Sequence, residues 1–235
     1  MSTIHYKAFI SYSHSDEKWA SWLQKSLESY RVPKRLVGTD GEFGEVPARL
    51  VPIFRDREDL SSASDVSAKV KRELEQSEFL IVICSPAAVQ SKWVNEEIRH
   101  FKSLGQENRV LALIVDGDPG SDRTEEQCFP SALTTNLDGS PGEPLAADVR
   151  KWADGKLLAK LKVVSGILGL RLDELRRRDQ QRRRKNRIIS AISATVVILL
   201  TVVLAISAVT SRQEAEMRKT NTEDLLGYMP VSYTH

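Results

Sequence analysis

A chain of 235 residues can hold one compact domain with its own core plus an extra segment, and is short for two full-sized domains. Its net charge of +2 conceals an asymmetry: positions 176–187 carry seven arginines and one lysine against Asp179, and outside them 26 basic residues face 31 acidic ones, which argues against nucleic-acid binding by the folded part. Cys84 and Cys128 suggest no disulfide framework, and the scattered His5, His14, His100 and His235 offer no metal-ligand spacing, so no metal is expected and the folded part reads as cytoplasmic and reduced.

Over the first 170 residues short apolar runs alternate with amphipathic stretches, the pattern of an α/β domain whose parallel sheet is covered by helices. Y-K-A-F-I-S-Y (6–12) predicts the first strand, and residues 16–30 a helix with Trp19, Trp22, Leu23, Leu27 and Tyr30 at helical spacing. After a glycine- and proline-rich loop from Pro33 to Pro47, R-L-V-P-I-F (49–54) predicts a second strand, shortened or kinked by Pro52. A charged loop, R-D-R-E-D-L-S-S-A-S-D (55–65), leads into a helix from Val66 to Glu75. F-L-I-V-I-C (79–84) is continuously apolar, as a central strand buried on both faces should be. A helix follows Ser91, with Val94, Ile98 and Phe101 as its buried stripe, and R-V-L-A-L-I-V (109–115) is the next strand. Residues 116–150 read mainly as loop with a short edge strand near Leu145–Val149, and a last helix is expected from Lys156 to about Asp179, weakened locally by Gly166 and Gly169.

Residues 188–210 contain no charged residue in 23 positions; as a helix they would cover about 35 Å, enough for a bilayer core of about 30 Å. Eight basic residues lie directly before this run, while Arg212, Arg218 and Lys219 after it are interspersed with Glu214 and Glu216, so the N-terminal domain is expected on the cytoplasmic side of the inner membrane of a single-pass protein. The Arg-rich segment 171–187 serves as topology determinant and contact for anionic head groups. Residues 211–235 form a short outer tail whose ending, G-Y-M-P-V-S-Y-T-H, resembles translated sequencing-adapter read-through, so the native chain is expected to continue beyond it.

Four motifs in order, F-I-S-Y-S, I-F-R-D-R-E-D-L, S-E-F-L-I-V-I-C-S and S-K-W-V-N-E-E-I, resemble those of the Toll/interleukin receptor (TIR) domain over roughly residues 4–170, and especially bacterial TIR proteins with a C-terminal transmembrane helix. The resemblance implies a flavodoxin-like fold, a five-stranded parallel sheet with helices on both faces, here followed by the single span. In such sheets ligands sit beyond the carboxyl ends of the strands, at the point where strand order reverses. Ser11 to Ser13 and the segment from Arg55 to Asp65, which matches the family's BB loop, would line that crevice. That assigns substrate binding to Ser11, Ser13, Trp93, Arg55 and Asp56, and partner binding to Arg55, Arg57, Glu58 and Asp59, whose mixed charges on one short segment favour contact between copies. The loop departs from the family in carrying Ser61, Ser62, Ala63 and Ser64 where a proline or glycine usually stands.

The two adjacent glutamates of W-V-N-E-E-I differ in position. Glu96 can pair with Arg99 or His100 along the helix for a few tenths of a kcal/mol and needs no other account. Glu97 has Trp93 at i−4 and Phe101 at i+4, which should partly desolvate it and raise its pKa; an edge carboxylate bonded to a nearby backbone N–H is the alternative. In TIR domains that cleave NAD the catalytic residue is a glutamate at W-x-x-x-E spacing, and Trp93 to Glu97 match that spacing while Trp93 to Glu96 do not. The resemblance therefore implies either an NAD glycohydrolase, with NAD as substrate and no cofactor, or a non-catalytic scaffold that recruits other TIR domains. In both, the partners are other TIR domains, as a homo-oligomer, and the membrane. A phospho-accepting receiver shares the fold but is poorly served by S-Y-S-H-S-D after the first strand.

Overall fold

The computed structural model describes residues 4–55, 63–121, 123 and 125–177, together with the helical positions 195, 199, 201 and 204. The chain divides into two units, Met1–Asp179 and Gln180–His235, and every element described below belongs to the first. Among the described residues no helix is long and apolar enough to cross a membrane; the apolar run 188–210, apart from the four positions just given, lies outside them.

The elements follow in the order β1 (Ala8–Ser11), α1 (Glu17–Glu28), the two-residue strands β2 (Asp40–Gly41) and β3 (Gly44–Glu45), β4 (Ile53–Arg55), α2 (Ala63–Glu75), β5 (Leu80–Cys84), α3 (Pro86–Gln90), α4 (Lys92–Ser103), β6 (Val110–Ile114), α5 (Ser131–Thr134), β7 (Ala146–Asp148) and α6 (Gly155–Leu168). Five of the strands form one parallel sheet in the order β4-β1-β5-β6-β7, while β2 and β3 pair as a small hairpin inside the expected loop. The α/β class, the five-stranded parallel sheet and the helices on both faces follow the expectation from sequence.

Alternation along each strand sends neighbouring side chains into two separate cores. Ala8, Ile10, Ile81, Ile83, Leu111 and Leu113 meet Leu23 and Leu27 of α1 and Leu161, Val164 and Ile167 of α6. Phe9, Leu80, Val82, Cys84, Ala112 and Ile114 meet Leu74 of α2, Val94, Ile98 and Phe101 of α4, and Leu133 of α5. The continuous apolar run of β5 is thus explained, since both of its faces are covered and none of its five residues reaches solvent.

The expected last helix is interrupted. α6 stops at Leu168 because Gly169 adopts a left-handed conformation (φ 59°), and the Gly169 and Leu170 N–H groups bond back to the carbonyls of Gly166 and Ser165, while residues 172–177 are helical again. Gly166 does not break the helix; it lets α6 lie close to the sheet, where an added Cβ would come within 2.7 Å of a Leu111 methyl.

Chain direction across the sheet reverses between β1 and β5. The connection after β1 runs through α1 on one face to β4, and the connection after β5 runs through α4 on the other face to β6. The carboxyl ends of β1 and β5 therefore open a crevice between diverging connections.

Candidate active site at the switch point of the sheet

β1 ends in Ser11, in register with Val82 of β5 and on the same side of the sheet as Phe9, toward α4. The site's second wall starts at Ser91, whose hydroxyl accepts a hydrogen bond from the Val94 N–H at 3.3 Å and caps α4. Asn95, buried in the first turns, accepts from the Ala132 N–H (3.0 Å) and the Ser131 hydroxyl (3.2 Å), and donates to the Ser91 (2.9 Å) and Val89 (3.3 Å) carbonyls. With its amide engaged on every side, it sets the rotation of α4 against α5. That rotation puts Val94, Ile98 and Phe101 into the core and leaves Glu97, half-buried, at the edge of the stripe facing β1.

The buried Ser11 hydroxyl donates to Glu97 Oε2 at 2.5 Å. This bond joins the end of β1 to the helix that follows β5, and so crosses the switch point. A second pair crosses it the other way: Ser85, just beyond β5, donates its hydroxyl to Asp16 Oδ2 at 2.5 Å while accepting from the Ala88 N–H at 3.1 Å as the cap of α3. Asp16 closes the turn after β1 through its N–H to the Ser13 carbonyl. Burial pushes the Asp16 carboxyl up, the Ser85 hydrogen bond opposes this, and Asp116 at the end of β6 adds to the rise.

The remaining candidates are dispersed. Arg55 is buried, donating to the Tyr12 hydroxyl and Gln24 Oε1 at 3.2 Å each and to Glu17 Oε1 at 3.4 Å. It clamps the end of β4 to α1, so the expectation that it belongs to an exposed charged segment does not hold for this residue. Asp56, Arg57, Glu58 and Asp59 lie outside the described residues. Ser13 is half-buried beside Asp16, and its hydroxyl caps no helix. Trp93 is 45 % exposed while Phe101 is fully buried, so Glu97 is not held between two buried rings. The Ser11 hydroxyl, rather than a pair of rings, bonds its Oε2.

Asp16, Ser85 and Asn95 were not singled out from the sequence, although Ser-Pro directly after an apolar strand is a helix-start signal that could have marked Ser85. Among the described residues no group of three or more His, Cys, Asp or Glu is placed to hold a metal ion.

Asp16 gives a pH prediction. A carboxyl whose folded pKa is raised binds its proton more tightly folded than unfolded, so its contribution is present at low pH and is lost as pH rises through the folded pKa. Asp16→Asn removes that titration while keeping an acceptor for Ser85. The melting temperature of the variant relative to the parent should climb as pH rises from the ordinary carboxylate range to neutrality. A difference independent of pH, followed by thermal denaturation, would refute it.

The TIR-domain model matches residues 8–138, a span that runs from β1 past the crevice to α5 and takes in Ser11, Asp16, Ser85 and Glu97. The chain belongs to the TIR-domain family. Its TIR domain is 34 % identical over 116 residues to the NAD(+) hydrolase ApTIR of Actinoplanes sp., an alignment that covers 49 % of this chain and 15 % of that relative. It is also similar to the TIR domains in the activated Roq1 resistosome directly recognizing the pathogen effector XopQ, at 20 % identity over 49 % of this chain and 60 % of that one, with a TM-score of 0.34.

Proposed function

We propose that this TIR protein cleaves NAD at the bond between nicotinamide and ribose, with Glu97 as the catalytic carboxylate. The observation that carries the reading is the Ser11 to Glu97 hydrogen bond: of the two adjacent glutamates, the one at W-x-x-x-E spacing is half-buried at the switch point and held there by a buried hydroxyl, while Glu96 is exposed. The name of the Actinoplanes relative supports the same reaction class.

Rupture of the C1′–N bond leaves its electron pair on the nicotinamide nitrogen, so the leaving group departs neutral and needs no general acid. Positive charge develops over C1′ and the ring oxygen. A fixed carboxylate close to the ribose stabilises that charge more than it stabilises the substrate. Water then adds at C1′ and gives up a proton. Ser11 takes no part in bond making; by donating to Oε2 it fixes the carboxylate's orientation before the charge appears. Ser13, Trp93 and Asp56 are assigned to substrate contact in this reading, and Arg55 is not, being held against α1.

The domain acts on the cytoplasmic side of a membrane spanned by residues 188–210, after the Arg-rich segment 171–187, and works as a self-associated assembly. Arg55 is committed to the clamp on α1, so contact between copies falls to Arg57, Glu58 and Asp59. Reversing the charges of Arg57 and Glu58 should weaken self-association most at low ionic strength. Sedimentation of parent and variant at two salt concentrations checks this, and unchanged association at both refutes it. The reaction itself is tested by incubating the protein, clustered on a surface, with NAD and following nicotinamide release. No release leaves the scaffold function in its place.

A further inference from the structure

α1, the start of α6 and the turn before it carry aromatic and cationic side chains, in part exposed, that the proposed reaction does not use. Trp152, in the turn before α6, is 76 % exposed, with the Arg150 guanidinium 4.7 Å from its ring centre. Trp19 and Trp22 on α1 are partly exposed and meet edge to face at 5.8 Å, and the Lys156 ammonium of α6 lies 4.9 and 5.5 Å from their rings. Residues 149–162 hold five basic side chains and one acidic one, in a body whose balance outside positions 176–187 is acidic. Arg150 is neutralised by Asp148 and Lys162 by Asp154. Among the described residues Lys151 and Lys156 have no acidic partner.

We infer that this face, formed by α1, the turn at Trp152 and the start of α6, docks on the surface of an anionic lipid bilayer. Indole rings beside unneutralised lysines match the boundary between head groups and acyl chains, where an amphipathic ring and a cation are both favoured. The inference rests on reading residues 188–210 as the membrane span. Arg177 stands eleven residues before Ile188, so a chain of at most about 3.6 Å per residue keeps the domain within about 40 Å of the bilayer. At the effective concentration such a tether provides, a face too weak to hold free lipid is occupied. α4, which carries Glu97, packs in the other layer from α1 and α6.

All four tryptophans of the chain, Trp19, Trp22, Trp93 and Trp152, precede the apolar run, and Trp93 is on the opposite layer as an internal control. The full chain is reconstituted in vesicles containing brominated phosphatidylglycerol or brominated phosphatidylcholine, and quenching is read from variants retaining Trp152 alone or Trp93 alone. Trp152 should be quenched several-fold more than Trp93 in the anionic vesicles, with the difference lost in phosphatidylcholine and in the double variant Lys151→Glu, Lys156→Glu. Because removing Trp19 and Trp22 can disturb α1, the single substitution Trp152→Phe is measured in parallel and should lower the quenched fraction. A chain stripped from the vesicles by alkali overturns the span and the tether with it. A chain that is retained but shows equal or no quenching at both positions overturns docking alone, and if Trp152 is then also shielded from aqueous acrylamide, the face belongs to a second copy.

Discussion

Glu97→Gln is expected to lower the rate of nicotinamide release at least a hundredfold, about 3 kcal/mol in the barrier, while leaving the melting temperature close to the parent's. Glutamine keeps the size of the side chain and can still accept from the Ser11 hydroxyl, so the geometry at the switch point survives and only the negative charge is lost. Glu96→Gln, on the exposed side of the same helix, should change neither quantity appreciably. Ser11→Ala tests whether the hydroxyl acts through the carboxylate. It should slow the parent by roughly tenfold but add little to Glu97→Gln, because a group that orients a charge has nothing to orient once the charge is gone. Equal rates for parent and Glu97→Gln, or additive losses for the two substitutions, would separate Glu97 or Ser11 from the chemistry.

Phe101→Ala should cost about 3–5 kcal/mol of stability, the scale for removing a fully buried ring from a core that cannot collapse around the gap. The ring lies in the layer formed by Phe9, Leu80, Ile98 and Leu133, where sheet, α4 and α5 meet. Trp93→Ala, eight residues earlier on the same helix, removes a larger ring that is nearly half exposed, and should cost less than about 1 kcal/mol. Denaturant unfolding of the two variants checks the contrast. Comparable losses would mean that the indole is packed in solution.

That contrast also marks where the sequence was readable. Apolar runs and helical spacing gave the five strands and the stripe Val94, Ile98, Phe101, because burial imposes periods of two and 3.6 that need no tertiary information. The cap at Ser91 and the boundary position of Glu97 followed from the same pattern. Trp93 did not. At about 100° per residue it falls on the far side of Glu97 from the stripe, roughly 100° from the stripe's centre, so spacing of i−4 from a boundary residue did not imply burial. The interruption after α6 could be placed only roughly, because a glycine within an apolar pattern is compatible with both a close approach and a stop, and Gly166 and Gly169 are one of each. Ser11 with Glu97 and Ser85 with Asp16 are 86 and 69 residues apart, and such pairs are set by strand order rather than by any local pattern.

The clamp on Arg55 has a consequence for reach. Seven residues, 56–62, separate this anchored side chain from the start of α2 at Ala63, and a chain of that length extends at most about 29 Å end to end. Folded back between two fixed points, its tip can stand no more than about 14 Å from them. Any group on these seven positions therefore lies within about 14 Å of Arg55 or Ala63, whichever is nearer.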